Sequence, residues 1–306
     1  MIAVLPLVLG SAAQITHAAH YDEHRAVEDI WLNQAVGCDA AKLESWSCGP
    51  ACKAVPIPAP RLVASSKKEE TLALVARRTP QECVIVVRGT KNTWNAIMDA
   101  DIFLDALPGC MGCKVHSGFL AGWRSLEDQI IAHLGALGCQ NSTTSITGHS
   151  LGAAIATLAT LQLANSSGAH WPLGRVYTYG QPRVGNLDFV HRVNSVVISQ
   201  GIPFYRVVDY RDAVPHLPPD NFLREGWEHA GPEIYYNATA LHAYTFCAEA
   251  RDRRCSYQWA LPQTLTHTCD HCSYLGMNPC TCGATQPRCK EPHALTRAES
   301  LVSEPR

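Results

Sequence analysis

Five consecutive residues, Gly148-His149-Ser150-Leu151-Gly152, have the G-x-S-x-G pattern that places a nucleophilic serine on a sharp turn between a strand and a helix. The apolar residue Ile146 precedes them, and the run 151–164 has the composition of a helix. The glycines permit a tight turn because they carry no Cβ that would clash. A serine hydroxyl is a weak nucleophile until a neighbouring base removes its proton. Ser150 is therefore the candidate nucleophile, and it requires a base and an acid.

The acid of such a site fixes the tautomer of the histidine base, and in an open α/β sheet it follows a strand that comes after the nucleophile. Asp209 and Asp212 come at the end of the apolar run 204–209 and just beyond it. Asp212 is preferred because it stands in the loop, although an aspartate there is more commonly a turn former. Position along the chain does not choose the base among the histidines that follow, which are His216, His229, His242, His267, His271 and His293.

One of these histidines, His271, lies in a segment rich in cysteines. Cys269 and Cys272 flank it, and their crosslinks could hold it rigid. These residues, together with Cys280 and Cys282, could instead bind zinc. In an exported protein the thiols are more often paired as disulfides, so the disulfide interpretation is favoured.

Two backbone N–H donors must face the tetrahedral intermediate that the attack of a serine creates. One is expected from Leu151, the residue after the nucleophile. The other is expected from Gly89-Thr90, which directly follows the apolar run 83–87. A continuous apolar run of this kind is typical of a strand that is covered on both faces.

Strand and helix patterns alternate through the middle of the chain. The runs that predict strands are 71–77, 83–87, 145–147, 175–179 and 204–209. The runs that predict helices are 20–36, 118–137, 151–164 and 188–199. This alternation predicts an α/β fold with a mainly parallel central sheet and helices on both faces. The simplest organisation is a single domain over residues 20–289, followed by a polar tail over 290–306.

Composition and short motifs indicate an exported protein. Residues 1–19 combine a short apolar stretch with small residues, as in a secretory signal peptide, although a buried strand is the alternative. The chain has 14 cysteines, more than a cytosolic enzyme usually carries. Sequons for N-glycosylation begin at Asn141, Asn165 and Asn237. The net charge of −2, without a basic stripe, argues against a nucleic-acid partner, and no stretch reaches the length of a membrane span.

Taken together, the motifs resemble those of the fungal-type class 3 lipases, a family with the α/β-hydrolase fold that includes triacylglycerol lipases and feruloyl esterases. The similarity extends from about Cys38 to Cys282. Besides the serine motif, it is carried by the runs 87–90, 115–119, 177–186, 205–206, 212–219 and 270–276. The resemblance implies that Asp212 rather than Asp209 is the acid and that His271 is the base.

The resemblance also implies a set of disulfides. The implied local pairs are Cys48 with Cys52, Cys110 with Cys113, and Cys247 with Cys255. Cys38 is expected to reach Cys280 or Cys282 near the other end of the chain. The family pattern leaves the remaining cysteines unexplained, namely Cys83, Cys139, Cys269, Cys272 and Cys289.

A short amphipathic pattern follows the expected oxyanion loop. Trp94, Ile97 and Met98 share one face of a short helix because they are spaced at i, i+3 and i+4. From the pattern alone, a helix packed on the core is the more common interpretation. The resemblance implies instead a lid that opens at a lipid surface.

For function, the resemblance implies a secreted carboxylic ester hydrolase, a triacylglycerol lipase that forms an acyl-enzyme with Ser150, Asp212 and His271. It implies an ester substrate at a lipid–water interface, no metal or organic cofactor and no transmembrane anchor, and a monomer is expected. The alternative is a feruloyl-type or other soluble-ester esterase of the same fold. A catalytically silent, cysteine-rich secreted binding protein is a third possibility, which the intact triad residues argue against.

Overall fold

The computed structural model describes residues 21–89, 103–165, 171–220, 222, 226–237 and 243–284. The predicted signal peptide over 1–19, the tail over 290–306 and Cys289 lie outside these ranges. So do Thr90 and the predicted lid residues Trp94, Ile97 and Met98.

Strands and helices alternate along the described chain. The strands are β1 Arg61–Ser66, β2 Thr71–Thr79, β3 Glu82–Val87, β4 Leu104–Ala106, β5 Lys114–His116, β6 Thr143–His149, β7 Leu173–Tyr179, β8 Phe204–Asp209, β9 Glu233–Tyr236 and β10 Tyr244–Cys247. The helices are α1 Glu23–Ala35, α2 Ala40–Glu44, α3 Pro50–Ala54, α4 Ser117–Ala136, α5 Leu151–Ala164, α6 Leu187–Ser199 and α7 Leu261–Thr264. The five strands and four helices predicted from the alternating pattern are all present, with ends that differ by a few residues.

Eight of the described strands form one sheet in the order β1-β2-β3-β6-β7-β8-β9-β10. The pairs from β3 to β9 are parallel, whereas β1-β2, β2-β3 and β9-β10 are antiparallel. The predicted α/β-hydrolase class, with a mainly parallel sheet, is therefore confirmed. The remaining strands, β4 and β5, form a separate hairpin.

Both faces of the sheet are covered because successive side chains of a strand point to opposite sides. In β3, Ile85 and Val87 pack in the cluster that contains the apolar residues of α4, α5 and α6. Val84 and Val86 pack on the other face, with residues of α1 and α3. All six residues of β3 are buried, as expected for a strand whose apolar run is continuous.

The central helix α5 packs unusually close to the sheet. A Cβ added to Gly152 would lie 2.1 Å from the carbonyl oxygen of Val87, and one added to Gly148 would lie 2.2 Å from that of Gly152. Since such distances are impossible for real atoms, both elbow positions require glycine. The close packing fixes the start of α5 against β3 and β6.

The cysteines are joined mostly as the resemblance implied. Disulfides join Cys48 to Cys52, Cys110 to Cys113, and Cys247 to Cys255. A further bridge, which the family pattern did not suggest, joins Cys83 of β3 to Cys139 after α4.

The structure decides between the two partners that were expected for Cys38. Cys38 is joined to Cys282, and Cys280 is joined instead to Cys272. The physical reason is that Gln34 of α1 donates to the carbonyl oxygens of Asn278 and Ala284, which brings Cys282 beside the end of α1. The zinc interpretation is also wrong for these thiols, because the disulfides engage them.

The predicted glycosylation sites differ in their surroundings. Asn141 and Asn165 are exposed, whereas Asn237 is partly buried at the end of β9. The Asn165 side chain donates to Leu161 and accepts from Arg192, at 2.7 and 3.1 Å. Glycosylation stays a prediction at all three.

Among the described residues, no helix is long and apolar enough to cross a bilayer.

Candidate active site

Ser150 occupies the sharp turn between β6 and α5. Its backbone has φ 58° and ψ −126°, a conformation that costs free energy in a residue with a side chain and that persists only when its surroundings impose it. The N–H of Ser150 donates to the carbonyl oxygen of Tyr179 at 2.9 Å. This bond and the close packing of the flanking glycines impose the turn, which places the serine at the carboxyl edge of the sheet.

The loop after β3 reaches the same turn. A Cβ added to Gly89 would lie 2.9 Å from the carbonyl oxygen of His149 and 3.5 Å from Cβ of Ser150. The backbone of Gly89 therefore lies against the serine. Leu151, the other expected donor of an N–H, is the first residue of α5.

Asp212 and His271, which are 59 residues apart in the chain, meet beside this turn. The Nδ1–H of His271 donates to the Asp212 carboxylate, at 2.8 Å from Oδ2 and 3.0 Å from Oδ1. Asp212 lies three residues beyond the end of β8, and its side chain is fully buried. The geometry is that of a carboxylate that orients an imidazole ring.

Two further donors hold the Asp212 carboxylate. The N–H of Val214 donates to Oδ1 at 2.9 Å, and the hydroxyl of Tyr274 donates to Oδ2. Burial by itself raises the pKa of Asp212, but the charge of His271 and these hydrogen bonds outweigh it, so that the pKa is lowered from its ordinary value. Burial and the neighbouring carboxylate raise the pKa of Tyr274 well above its ordinary value, so its hydroxyl remains a donor.

His149 contacts the backbone of His271. Because a carbonyl oxygen only accepts, Nε2–H of His149 must be the donor to the carbonyl oxygen of His271, at 2.7 Å. The centroids of the two rings are 4.4 Å apart. Burial, and then the charge of His271, lower the pKa of His149 to about 3, so its ring is neutral. The neutral ring of His149 is therefore a hydrogen-bond donor that holds the backbone of His271.

Gly180, which directly follows β7, lies between the turn after β6 and the loop after β8 that carry Ser150 and Asp212. It has φ 54°, a left-handed conformation that favours glycine. A Cβ at this position would lie 2.7 Å from Oδ2 of Asp212 and 2.8 Å from Cε1 of His271. A side chain at residue 180 would therefore displace the pair.

Two polar atoms at the centre of the site have no hydrogen-bond partner within the described residues. They are Oγ of Ser150 and Nε2 of His271, and both are buried. Catalytic hydrogen bonds are often long before substrate binds. These two atoms are the ones that a proton transfer from serine to histidine would join.

Comparison with known proteins identifies the family. A family model described as Lipase (class 3) matches residues 84–222. The solved Rhizomucor miehei lipase–propeptide complex is 30% identical, with a TM-score of 0.72 over 85% of this chain and 80% of that chain. A solved triacylglycerol lipase whose catalytic centre is a serine protease triad is 32% identical, with a TM-score of 0.70 over 85% and 96% of the two chains. The chain belongs to the class 3 lipase family.

Curated relatives of this class 3 lipase family member are longer than the chain. The Rhizomucor miehei lipase is 34% identical over 217 residues, which are 70% of this chain and 57% of the relative. The Rhizopus oryzae lipase is 32% identical over 247 residues, which are 78% of this chain and 59% of the relative. The chain therefore spans less than two thirds of the length of these relatives.

The serine motif predicted Ser150 as the nucleophile, and the family resemblance selected Asp212 and His271. Neither assigned a role to two residues that hold this pair. Tyr274 and His149 were parts of motifs only. The signal for Tyr274 is chemical, since a buried carboxylate needs more donors than one imidazole supplies. For His149 the sequence carries no signal, because its partner is a backbone atom.

Because several of its histidines are buried, we expect this class 3 lipase family member to lose stability in acid. Burial lowers the pKa of His116 and His216 to about 4 and that of His149 to about 3, and it lowers that of His229 well below its ordinary value. An unfolded histidine titrates near ~6.5, so between about 4 and 6.5 the unfolded chain binds more protons than the folded one. The free energy of unfolding therefore rises with pH across this window. On acidification it falls by about 1.4 kcal/mol per histidine and pH unit.

Urea unfolding of the disulfide-intact protein, repeated between about pH 7 and 4.5, measures this slope. The matched variant is His116→Asn, because Nδ1 of His116 accepts from the N–H of Gly118 at the start of α4 and asparagine is also a good N-cap acceptor. Because one titrating histidine is removed, this variant should lower the slope of unfolding free energy against pH by about 1.4 kcal/mol per pH unit. Stability that stays flat down to about pH 4.5 would contradict the prediction.

Proposed function

We propose that the chain is a serine carboxylester hydrolase that acts as a triacylglycerol lipase through an acyl-enzyme. Ser150 is the nucleophile, His271 the general base and Asp212 the acid that orients it. The observation that carries the proposal is the buried His271–Asp212 pair, 2.8 Å between Nδ1 and Oδ2, beside a serine on a strained turn. The triad described for a solved triacylglycerol lipase of 32% identity supports the same assignment.

The proposed reaction begins when Ser150 attacks the ester carbonyl carbon and its proton passes to Nε2 of His271. The Asp212 carboxylate stabilises the imidazolium that forms. The N–H groups of Leu151 and Thr90 hold the oxyanion, and the Thr90 hydroxyl is a third donor in this proposal. The imidazolium then protonates the leaving alcohol. Water then hydrolyses the acyl-enzyme by the same steps, which regenerates Ser150 and releases the carboxylic acid product.

The proposed substrate class is the glyceride ester. The relatives named as lipases support it, as does the secreted mono- and diacylglycerol lipase 1 of Fusarium solani, which is 36% identical over 163 residues. Secretion is part of the proposal, and the disulfides support it because such bridges persist outside the cytosol.

Exposed apolar side chains at the β4–β5 hairpin support action at a lipid surface. Met111 at its tip is fully exposed, and Leu187 at the start of α6 is 48% exposed. Asn186 joins the two elements, since its side chain accepts from Lys114 and donates to the carbonyl oxygen of Gly112. The hairpin bonds to the loop after β7, so it lies at the carboxyl edge that carries Ser150.

Replacing Met111 with aspartate is expected to lower activity on emulsified triglyceride by about tenfold and to leave activity on a dissolved short-chain ester unchanged. The reason is that burial of a methionine side chain in the lipid surface contributes about 1.5–3 kcal/mol of binding free energy, which a charged side chain does not contribute. Initial rates on the two substrates measure the difference, and Met111→Leu is the control that should retain both. Equal losses on emulsion and dissolved ester would contradict a role of the hairpin at the surface.

A substrate panel tests the function itself. Purified protein is offered emulsified triolein, dissolved p-nitrophenyl butyrate and methyl ferulate, with the Ser150→Ala variant as control. We expect hydrolysis of triolein with a rise in rate once an emulsion forms. Fast hydrolysis of methyl ferulate without hydrolysis of triolein would contradict the lipase assignment and support a feruloyl-type esterase. Failure of the protein to react with a fluorophosphonate or to hydrolyse any ester would overturn the proposal.

A further inference from the structure

We propose that the Cys272–Cys280 disulfide is a positioning device for His271, so that its removal lowers kcat and not only stability. The inference rests on the proposed function, because it assigns His271 as the base. Cys272 directly follows His271 in the chain, and the bridge closes the segment after it. Sequence reasoning left Cys272 without a partner.

The need for such a device follows from where the three triad residues lie. Ser150 and Asp212 follow β6 and β8 of the central sheet, whose hydrogen bonds hold them in place. His271 lies in a single 3₁₀ turn, Asp270–Cys272, within a segment that forms no strand of the sheet. Its backbone therefore lacks the ladder of hydrogen bonds that positions the other two.

The disulfide lies against the peptide that carries the base. Sγ of Cys280 is 3.9 Å from the carbonyl oxygen of His271, the same oxygen that accepts from Nε2–H of His149. The N–H of Cys280 donates to the Asn278 side chain at 2.9 Å. Cys272 is buried and Cys280 is partly buried, so the bridge packs within the site at the end that carries the base.

The closed segment also carries the second group that holds the acid. Tyr274, whose hydroxyl donates to Asp212, lies between the two cysteines. Its backbone exchanges hydrogen bonds with Met277 at 2.8 and 3.0 Å, which forms a tight turn inside the loop. One crosslink therefore constrains both donors from this segment, the imidazole of His271 and the phenol of Tyr274.

The far end of the segment is anchored independently. Cys282, two residues after Cys280, is joined to Cys38 just beyond α1, a helix that packs on the central sheet. Together the two bridges link the segment that carries His271 to α1, and through α1 to the central sheet. Without the first, this side of His271 would lose its covalent link, and a misplacement of the base by about 1 Å can cost about 10²-fold in rate.

The chain offers a matched control for the test. Cys247–Cys255 has the same separation of eight residues as Cys272–Cys280, so the entropy of loop closure is equal for the two bridges. The control bridge packs with Val208 and Tyr235, in a cluster that contains none of the triad residues. Alanine replaces both cysteines of one bridge or of the other, and each variant is assayed at a temperature below both melting points.

We expect the two double variants to lose similar thermal stability. Only Cys272→Ala/Cys280→Ala should lower kcat on p-nitrophenyl butyrate, by about tenfold or more, with KM little changed. The rate constant for inactivation by a fluorophosphonate should fall in the same proportion, because the base activates the nucleophile in that reaction too. Equal kcat in the two variants would overturn the inference.

A second measurement decides the question if the first variant does not fold. The native protein is partly reduced and alkylated, and the modified cysteines are mapped by mass spectrometry against residual activity. Protein alkylated at Cys272 and Cys280 with kcat retained would overturn the inference, whereas loss of kcat that tracks this pair and not Cys247–Cys255 supports it. A native protein without any esterase activity would instead defeat the proposed function.

Discussion

Replacing Ser150 with alanine is expected to lower kcat for a dissolved ester by about 10⁵–10⁶-fold. Without Oγ no acyl-enzyme can form, and the loss is not compensated by His271 or Asp212 because they act only through the serine. The residual rate should come from binding and the oxyanion donors. Hydrolysis of p-nitrophenyl butyrate by freshly purified protein measures it.

The fold should be unaffected by this change. Oγ of Ser150 has no hydrogen-bond partner within the described residues, so its removal leaves no buried group unpaired. The melting temperature is therefore expected to match that of the native protein. Ser199→Ala, at the exposed end of α6, is the matched control and should keep full activity. Hydrolysis by Ser150→Ala at a tenth of the native rate or more would place the nucleophile elsewhere.

Replacing Asp212 with asparagine is expected to lower kcat by about 10⁴-fold. The amide has a single acceptor oxygen, and the N–H of Val214, 2.9 Å from Oδ1, requires it. The amide NH₂ group then takes the place of Oδ2 and faces Nδ1 of His271. Since both groups cannot donate, the imidazole must present a lone pair at Nδ1 and carry its proton on Nε2. That tautomer cannot accept the proton of Ser150.

The control for this variant is Asp209→Asn, the other aspartate that the sequence offered. Asp209 ends β8, its backbone carbonyl accepts from the N–H of Asp212 at 3.0 Å, and asparagine at this position leaves that backbone contact unchanged. Substitution of its side chain should therefore change kcat by only a few fold. Single-turnover and steady-state rates on p-nitrophenyl butyrate measure both variants. A small effect at Asp212 with a large one at Asp209 would reverse the assignment of the acid.

Several elements that the sequence did not predict are either partly exposed or very short. Strand β1, Arg61–Ser66, lies at the edge of the sheet, where most of its side chains are partly exposed and carry no strong pattern. The hairpin strands β4 and β5 have three residues each, too few for a period to be recognised. By contrast, α5 and β8 were predicted at their observed ends, because their continuous apolar runs reflect burial on all sides.

The sequence by itself determined which residues could do the chemistry. A serine between two glycines at a strand–helix junction requires the elbow, and an aspartate beyond β8 falls at the same edge because parallel strands end together. These inferences depend on neighbours in the chain and on the order of predicted strands along it, both of which can be read from the sequence.

Only the tertiary structure decided how those residues are held. It joined Cys280 to Cys272 and Cys282 to Cys38, gave Asp212 the hydroxyl of Tyr274 and brought the ring of His149 to the backbone of His271. The reason is that a disulfide or a hydrogen bond between distant residues depends on angstrom-scale distances, which arise when the helices and loops pack. Residue types and spacing carry no record of those distances.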